Sequence, residues 1–274
     1  MGDEPGIEGR RVLAEGREAV VHEWVDGTVL RLMRSSEGAE AMARAGAASE
    51  AARRAGVPTP RVHETVEVDG RPGQVVARVD GPDLFAHLAA NPLRLWRGAD
   101  LLAEVQADLH GVTAPTSLPS THERLRARLD GSDLVPPPAA RRALDLLADL
   151  PEGTALCHGD LHPGNLLVTP EGPMLIDWSN ATRGDPLADV ARTQVMLQIG
   201  ALPPSAPAVV RGLARGGRAV LVARWARGYA RRRPVDRAAL ARWRVVAATA
   251  RLAEDIEAER PALLAIADAG AAGA

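Results

Sequence analysis

The sequence predicts an α+β chain of two lobes: a small β-rich lobe over residues 1–80 and a larger, mostly helical lobe over residues 81–274. Three observations predict it. Strand-like runs surround one helix-like segment up to about Val79. A turn, Asp80-Gly81-Pro82, ends that region. Beyond it, apolar residues recur at helical spacing. A chain of 274 residues accommodates one large domain or two lobes, at roughly 100–200 residues per domain. A cleft between lobes is a common ligand site.

The elements follow in order. "RVLAEG" and "AVVHEWVDGTVLRLMR" are rich in Val, Leu and Trp, and Asp26-Gly27 suits a tight hairpin turn. "EGAEAMARAGAASEAARRAG" has no proline and stops at Gly56, with Pro58 beyond, which predicts a helix. "RVHETVEVDGRPGQVVARVDG" reads as two strands about a Gly-rich turn, so the small lobe reads β-β-helix-β-β. In the large lobe, Leu101, Leu102, Val105 and Leu109 mark one helix and "RRALDLLADL" another. "TALCHG", "NLLVT" and "PMLIDW" read as short strands flanking loops. Asp185-Pro186 offers an N-cap and a first-turn proline to the helix "LADVARTQVML". From about Ala206 the chain reads as helix, broken near Gly216-Gly217 and at Pro234, with Trp225, Tyr229 and Trp243 as core and a fraying tail "ADAGAAGA".

Composition excludes several classes. The net charge of −2 favours neither nucleic acid nor an anionic membrane surface. One cysteine, Cys157, rules out an intramolecular disulfide framework. The polar, acidic start "MGDEPGIEGR" lacks a signal-peptide pattern, and no apolar run approaches the ~18 residues of a membrane span. These features predict a cytoplasmic chain, a monomer or a homodimer. The sequence contains no lysine, so any site needing a cation must use Arg or His.

The chemistry concentrates in "CHGDLHPGN", Cys157 to Asn165. His158, Asp160 and His162 alternate as metal ligands on a strand would, but Gly159, Pro163 and Gly164 disfavour a regular strand there. As a polar turn the stretch would have no function. Its context says more: Asp160, Asn165 and the later Asp177 are three oxygen-bearing side chains on one β-loop-β unit. Phosphoryl transfer needs one carboxylate at the attacking hydroxyl and hard oxygen ligands on Mg²⁺. His158-x-Asp160 with Asn165 five residues on matches the H-x-D-x-x-x-x-N pattern of kinase catalytic loops.

At "HGDLHPGNLLV", "LIDWSNATRGDPLADVA", "GVPTPRV" and the connector "VDG", the chain resembles the aminoglycoside phosphotransferase and choline kinase-like family, small-molecule kinases with a protein-kinase-like fold. The resemblance runs from about Val12 to Ala258. It implies a nucleotide cofactor, ATP or GTP, with Mg²⁺, and a small hydroxylated acceptor. It implies Asp160 as the base or orienting group, Asn165 and Asp177 as metal ligands, and His158 as a brace. His162 falls where protein kinases carry a lysine near the transferred phosphate. Asp189 would brace the loop from the next helix, and Asp185 is an N-cap or a functional group. Gly16, in "AEGREA", would cover the phosphates, and the backbone at Ala77 and Val79 would meet adenine.

Two positions depart from the family's pattern. Arg31, in "TVLRL", stands where the family has its nucleotide lysine; it keeps the charge in a bulkier fork. The helix glutamate that pairs with that lysine falls near Gly46, and Glu50, one turn along, is the expected substitute. For the acceptor, Glu254, Asp255 and Glu257 cluster in "RLAEDIEAER", with Glu254 and Glu257 sharing a helix face, and are candidates for an amine. The acceptor stays open among an aminoglycoside, another hydroxylated antibiotic and a metabolite. Two other functions compete with transfer: nucleotide binding without turnover, and a His/Asp metallohydrolase.

Overall fold

The computed structural model describes residues 6–16, 19–200 and 208–269. Arg17 and Glu18, in the loop expected to cover the phosphates, and residues 270–274 of the tail lie outside them. The small lobe is a five-stranded antiparallel sheet with one helix. Its strands are β1 (Val12–Glu15), β2 (Ala19–Glu23), β3 (Thr28–Met33), β4 (Val62–Val68) and β5 (Arg71–Ala77), in the order β1-β2-β3-β5-β4. Three strands precede helix α1 (Ala39–Arg54), not two. The run "AVVHEWVDGTVLRLMR" folds on itself at Asp26 and Gly27, both at positive φ, as a tight hairpin turn demands.

The connector then passes close to the large lobe. A side chain at Gly81 would come within 2.5 Å of the Val168 carbonyl, and Val168 N–H donates to Pro82 at 2.9 Å. Helices α2 (Leu84–Ala90), α3 (Leu95–Leu109), α4 (Thr121–Asp130) and α5 (Pro137–Ala148) lead to the region of the Cys157–Asn165 loop. There β6 (Ala155–Cys157) pairs with β9 (Thr182–Gly184), and β7 (Leu166–Thr169) with β8 (Gly172–Leu175). The short β9 has no distinct apolar run in the sequence. Helix α6 (Pro186–Ile199) starts at Asp185, whose carboxylate accepts from Leu187 N–H at 2.6 Å, so Asp185 acts as the N-cap.

Helices α7 (Ala208–Ala230), α8 (Arg237–Arg251) and α9 (Arg260–Ala269) complete the described chain. The expected break at Gly216-Gly217 is absent: α7 runs through it, and Pro234 alone divides α7 from α8. A helix tolerates interior glycine at about 1 kcal/mol each, which packing of the helix offsets. Trp225 and Tyr229 are buried in a core shared with α1, α2 and α3, and Trp243 centres a second core of α4, α5, α6, α8 and α9. Among the described residues no helix is long and apolar enough to cross a membrane.

Candidate active site

A cleft of about 950 Å³ is lined by Arg31, Asp160, His162, Asn165 and Asp177, with Ala77, Val79 and Gly16 also on its wall. The loop between β6 and β7 owes its shape to Gly159. Its φ is +74°, and a side chain there would run into the Asn180 carbonyl. Asp189, on the first turn of α6, accepts from Gly159 N–H at 2.6 Å. Asp189 is itself held by Gln106 and His110 of α3's C-terminal end, at 3.1 Å each. His110 in turn meets the Tyr229 hydroxyl at 2.7 Å. Burial pushes the Asp189 carboxyl up, but His110, His158 and the Gly159 amide outweigh it and hold the pKa at about 2.

His158 is fully buried; it meets the Ile176 carbonyl at 3.0 Å through Nε2 and accepts from Asp160 N–H through Nδ1. Both ring nitrogens are committed to the backbone, which ends the metal-cluster reading of this histidine. Among the described residues no group of three His, Cys, Asp or Glu side chains is arranged to hold a metal. His162 accepts from Gly164 N–H at 3.0 Å through Nδ1, so the proton of the neutral ring sits on Nε2, 3.9 Å from Asp160 Oδ2. Burial lowers its pKa, and the His158 and Arg251 charges add to that against the pull of Asp160. The ring is therefore neutral at pH 7 and is a hydrogen-bond donor rather than a cation.

Asn165 donates its amide NH₂ to the Asp160 carbonyl at 2.9 Å, which leaves the amide oxygen as a hard ligand. Asp177 sits in the left-handed region, φ 62°, a conformation Asp tolerates better than most residues. Its carboxyl is raised by burial but lowered further by Arg31, the Ser179 hydroxyl and His158, so it stays ionised. Arg31 reaches across from β3 to Asp177 Oδ1 at 3.2 Å and Ser179 Oγ at 2.7 Å. An amide oxygen and a carboxylate on one wall fit Mg²⁺, which takes one or two protein carboxylates and completes its shell with phosphates and water.

Glu50 does not take the role expected of it. It binds Arg53 and Arg54 at 2.8 and 2.9 Å on its own helix and is not on the cleft wall. Its i, i+3 and i, i+4 neighbours share its helix face and take up both carboxylate oxygens. At Gly46, the expected glutamate position, Gln74 Nε2 would lie 2.5 Å from an added Cβ, and it donates to the Met42 carbonyl at 2.8 Å. Gln74 faces Arg31 across the β3–β5 pair. The acidic cluster also changes. Helix α8 ends at Arg251, and Asp255 at φ 53° breaks the chain from helical geometry, so Glu254 and Glu257 share no helix face. Asp255 and Glu257 are exposed and off the cleft wall; only Glu254 lines it.

Sequence reasoning missed Arg192. It donates to Asp160 Oδ1 at 3.3 Å, to Glu254 at 2.7 Å and to the Gly159 carbonyl. It follows Asp189 by three residues on α6, so a shared helix face was the signal available. Arg128 and Ser179 were missed too, since neither carries a local pattern.

The model of the phosphotransferase enzyme family matches residues 9–235. The chain belongs to the phosphotransferase enzyme family. Solved structures agree with that membership in fold. A thermostable mutant of aminoglycoside phosphotransferase APH(4)-Ia, apo form, is similar at TM-score 0.65 and 20% identity, covering 97% of this phosphotransferase-family chain and 96% of its own. Amicoumacin kinase hAmiN, in complex with AMP-PNP, Ca²⁺ and Ami, is similar at TM-score 0.66 and 12% identity, covering 97% and 89%. A choline/ethanolamine kinase family protein from Mesorhizobium loti is similar at TM-score 0.59 and 20% identity, covering 97% and 87%. At these identities the likeness is one of fold, the bilobal kinase-like fold. No curated protein matches this family member.

Proposed function

We propose that the chain transfers the γ-phosphoryl group of ATP or GTP to a hydroxyl of a small molecule. The observation that carries this reading is the convergence of Asp160, Asn165, Asp177 and Arg31 on one cleft. In it, the acceptor oxygen forms a bond to the γ-phosphorus as the bond from phosphorus to the β–γ bridging oxygen breaks. The hydroxyl proton passes to Asp160, and the nucleoside diphosphate leaves. Arg192 holds Oδ1 of Asp160, so Oδ2 is the oxygen that meets the hydroxyl. The Nε2–H of His162 donates to the transferred group. Asn165 and Asp177 would hold Mg²⁺, which supplies charge neutralisation on the phosphates. Arg31 would bind phosphate oxygens, and Gly16 would lie over them. Ala77 N–H already donates to the Arg61 carbonyl at 2.8 Å, so the Ala77 carbonyl and the Val79 amide are the edge for a nucleobase.

Asp160→Asn tests it. Turnover, followed by a gain of about 80 Da on the acceptor, should fall by roughly 100- to 10,000-fold. Binding of AMP-PNP by calorimetry should persist. Full activity in the variant would sink the mechanism. A second reading, nucleotide binding without transfer, is favoured by the Arg31–Asp177 pair, which ties the nucleotide cation to a metal ligand. AMP-PNP binding with no transfer to any acceptor and no Mg²⁺-dependent hydrolysis would select it.

A further inference from the structure

The end of the cleft beyond Asp160 is built from arginine: Arg128 on α4, Arg192 on α6, Arg218 on α7 and Arg251 at the end of α8. The carboxylates lining that end are Asp160 and Glu254. Glu254 is already gripped by Arg192 at 2.7 Å, Arg251 at 2.8 Å and Arg128 at 3.4 Å. Arg251 also forks onto buried Glu259 at 2.6 and 3.0 Å. Arg218 donates to the carbonyls of Gln198 and Gly200 at 2.8 Å each, and among the described residues it forms no ion pair with a carboxylate. Four guanidinium groups thus face three carboxylates, one of which the chemistry needs.

Of the three arginines around Glu254, Arg128 is the least compensated: its ion pair is the longest, and Arg192 and Arg251 each hold a second carboxylate. Its firmest bond, 2.7 Å, goes to the neutral amide oxygen of Asn180. Burial, with the charges of Arg192 and Arg124 against the pull of Glu254 and Asp160, lowers its pKa to about 10. It is still cationic at neutral pH, in a setting that disfavours the charge. The surrounding sequence adds no relief: residues 200–253 contain twelve arginines and one carboxylate, Asp236, which caps α8. A polycation entering here meets like charge and no carboxylate that is not already held. An oxyanion meets the planar forks that suit it.

We propose, on the reading that this cleft transfers a phosphoryl group, that the acceptor is a hydroxylated molecule carrying an oxyanion, carboxylate or phosphate, which docks against Arg128 while its hydroxyl faces Asp160. The test is calorimetry on the full chain loaded with Mg²⁺ and AMP-PNP. The probes are gluconate, glucose 6-phosphate, glucose and kanamycin. At least one anionic probe should bind about ten-fold or more tighter than glucose and kanamycin; comparing the two anionic probes tells carboxylate from phosphate. Arg128→Gln should erase the preference and Arg128→Glu should reverse it. Arg227→Gln, exposed on α7 and off the cleft wall, should keep it. The proposal is overturned if glucose or kanamycin binds as tightly as the anions, if neither anion binds, or if Arg227→Gln erases the preference as fully as Arg128→Gln. The comparison of probes on the unaltered chain decides the matter even if both Arg128 variants misfold. Failure of AMP-PNP itself to bind would count against the kinase reading, whereas AMP-PNP binding without anion preference overturns this proposal alone.

Discussion

Asp160 has two carboxylate oxygens in unlike surroundings. Oδ1 faces the Arg192 guanidinium at 3.3 Å, while Oδ2 faces His162 at 3.9 Å and the Asn165 amide at 3.4 Å. One oxygen is fixed by a cation and the other meets only a neutral ring and an amide, a division that would orient the base proposed above. Arg31 and Glu50 make a contrasting pair. Arg31 stands on the wall and binds Asp177, while Glu50 is tied to its own helix. Arg31→Met should therefore raise the nucleotide KM roughly 10- to 100-fold, the loss of a charged hydrogen bond. Glu50→Ala should leave KM unchanged. Steady-state kinetics against ATP checks both, and a Glu50→Ala effect equal to that of Arg31→Met would restore the helix carboxylate to the site. Asp160 and Asn165 in the Cys157–Asn165 loop, and Asp177 a dozen residues beyond it, were legible as candidates because they sit at short spacing on one local β-loop-β unit. Arg192 and Arg128 were not, because their roles depend on which helices the fold brings behind that unit.

At the scale of elements, the loop that carries Asp160 is braced from three helices. Asp189 of α6 receives Gly159 N–H, and Gln106 and His110 at the end of α3 hold Asp189, with α7 reached through Tyr229. Asp189→Asn removes a buried acceptor charge and should cost about 3 kcal/mol, read from urea unfolding. The pH dependence follows from the same contacts. The folded carboxyl is held at about 2 against an ordinary 3.8, so its stabilisation is complete above the unfolded value and lost as pH falls through the folded one. About 2 kcal/mol should disappear between about pH 4 and pH 2, and Asp189→Asn should flatten that part of the profile. A second brace runs between lobes: Trp178 Nε1–H donates to Thr59 Oγ1 at 2.9 Å, and Thr59 meets Ser49 of α1 at 3.3 Å. The N-cap at Asp185, the stop after Arg54 and the turn at Asp26-Gly27 were legible as local chemistry. The unbroken α7 was not, because packing outweighed the glycine signal.

Across the whole molecule, Arg31 links the two lobes through Asp177, the carboxylate proposed to hold the metal. Nucleotide and Mg²⁺ would replace that link with contacts to both walls, so binding should stabilise the chain as a unit. AMP-PNP with Mg²⁺ at 100 times its dissociation constant should add about 2.7 kcal/mol to unfolding. Asn165→Ala should remove most of that gain by weakening the metal-dependent part. A thermal unfolding series with and without Mg²⁺ reads it, and equal shifts in both conditions would exclude Asn165 from metal binding.

The sequence by itself determined the two-lobed α+β class, the place of the loop that carries Asp160 and Asn165, and the absence of lysine from every site. These depend on periodicity, turn residues and short spacing, which act between near neighbours. Only the tertiary structure decided which cations meet which carboxylates. Arg31 binds Asp177 rather than Glu50, and Glu254 is enclosed by Arg128, Arg192 and Arg251 rather than open to an amine. In a chain with 33 basic and 35 acidic side chains, such pairings are set by distances across the fold, and no local pattern encodes them.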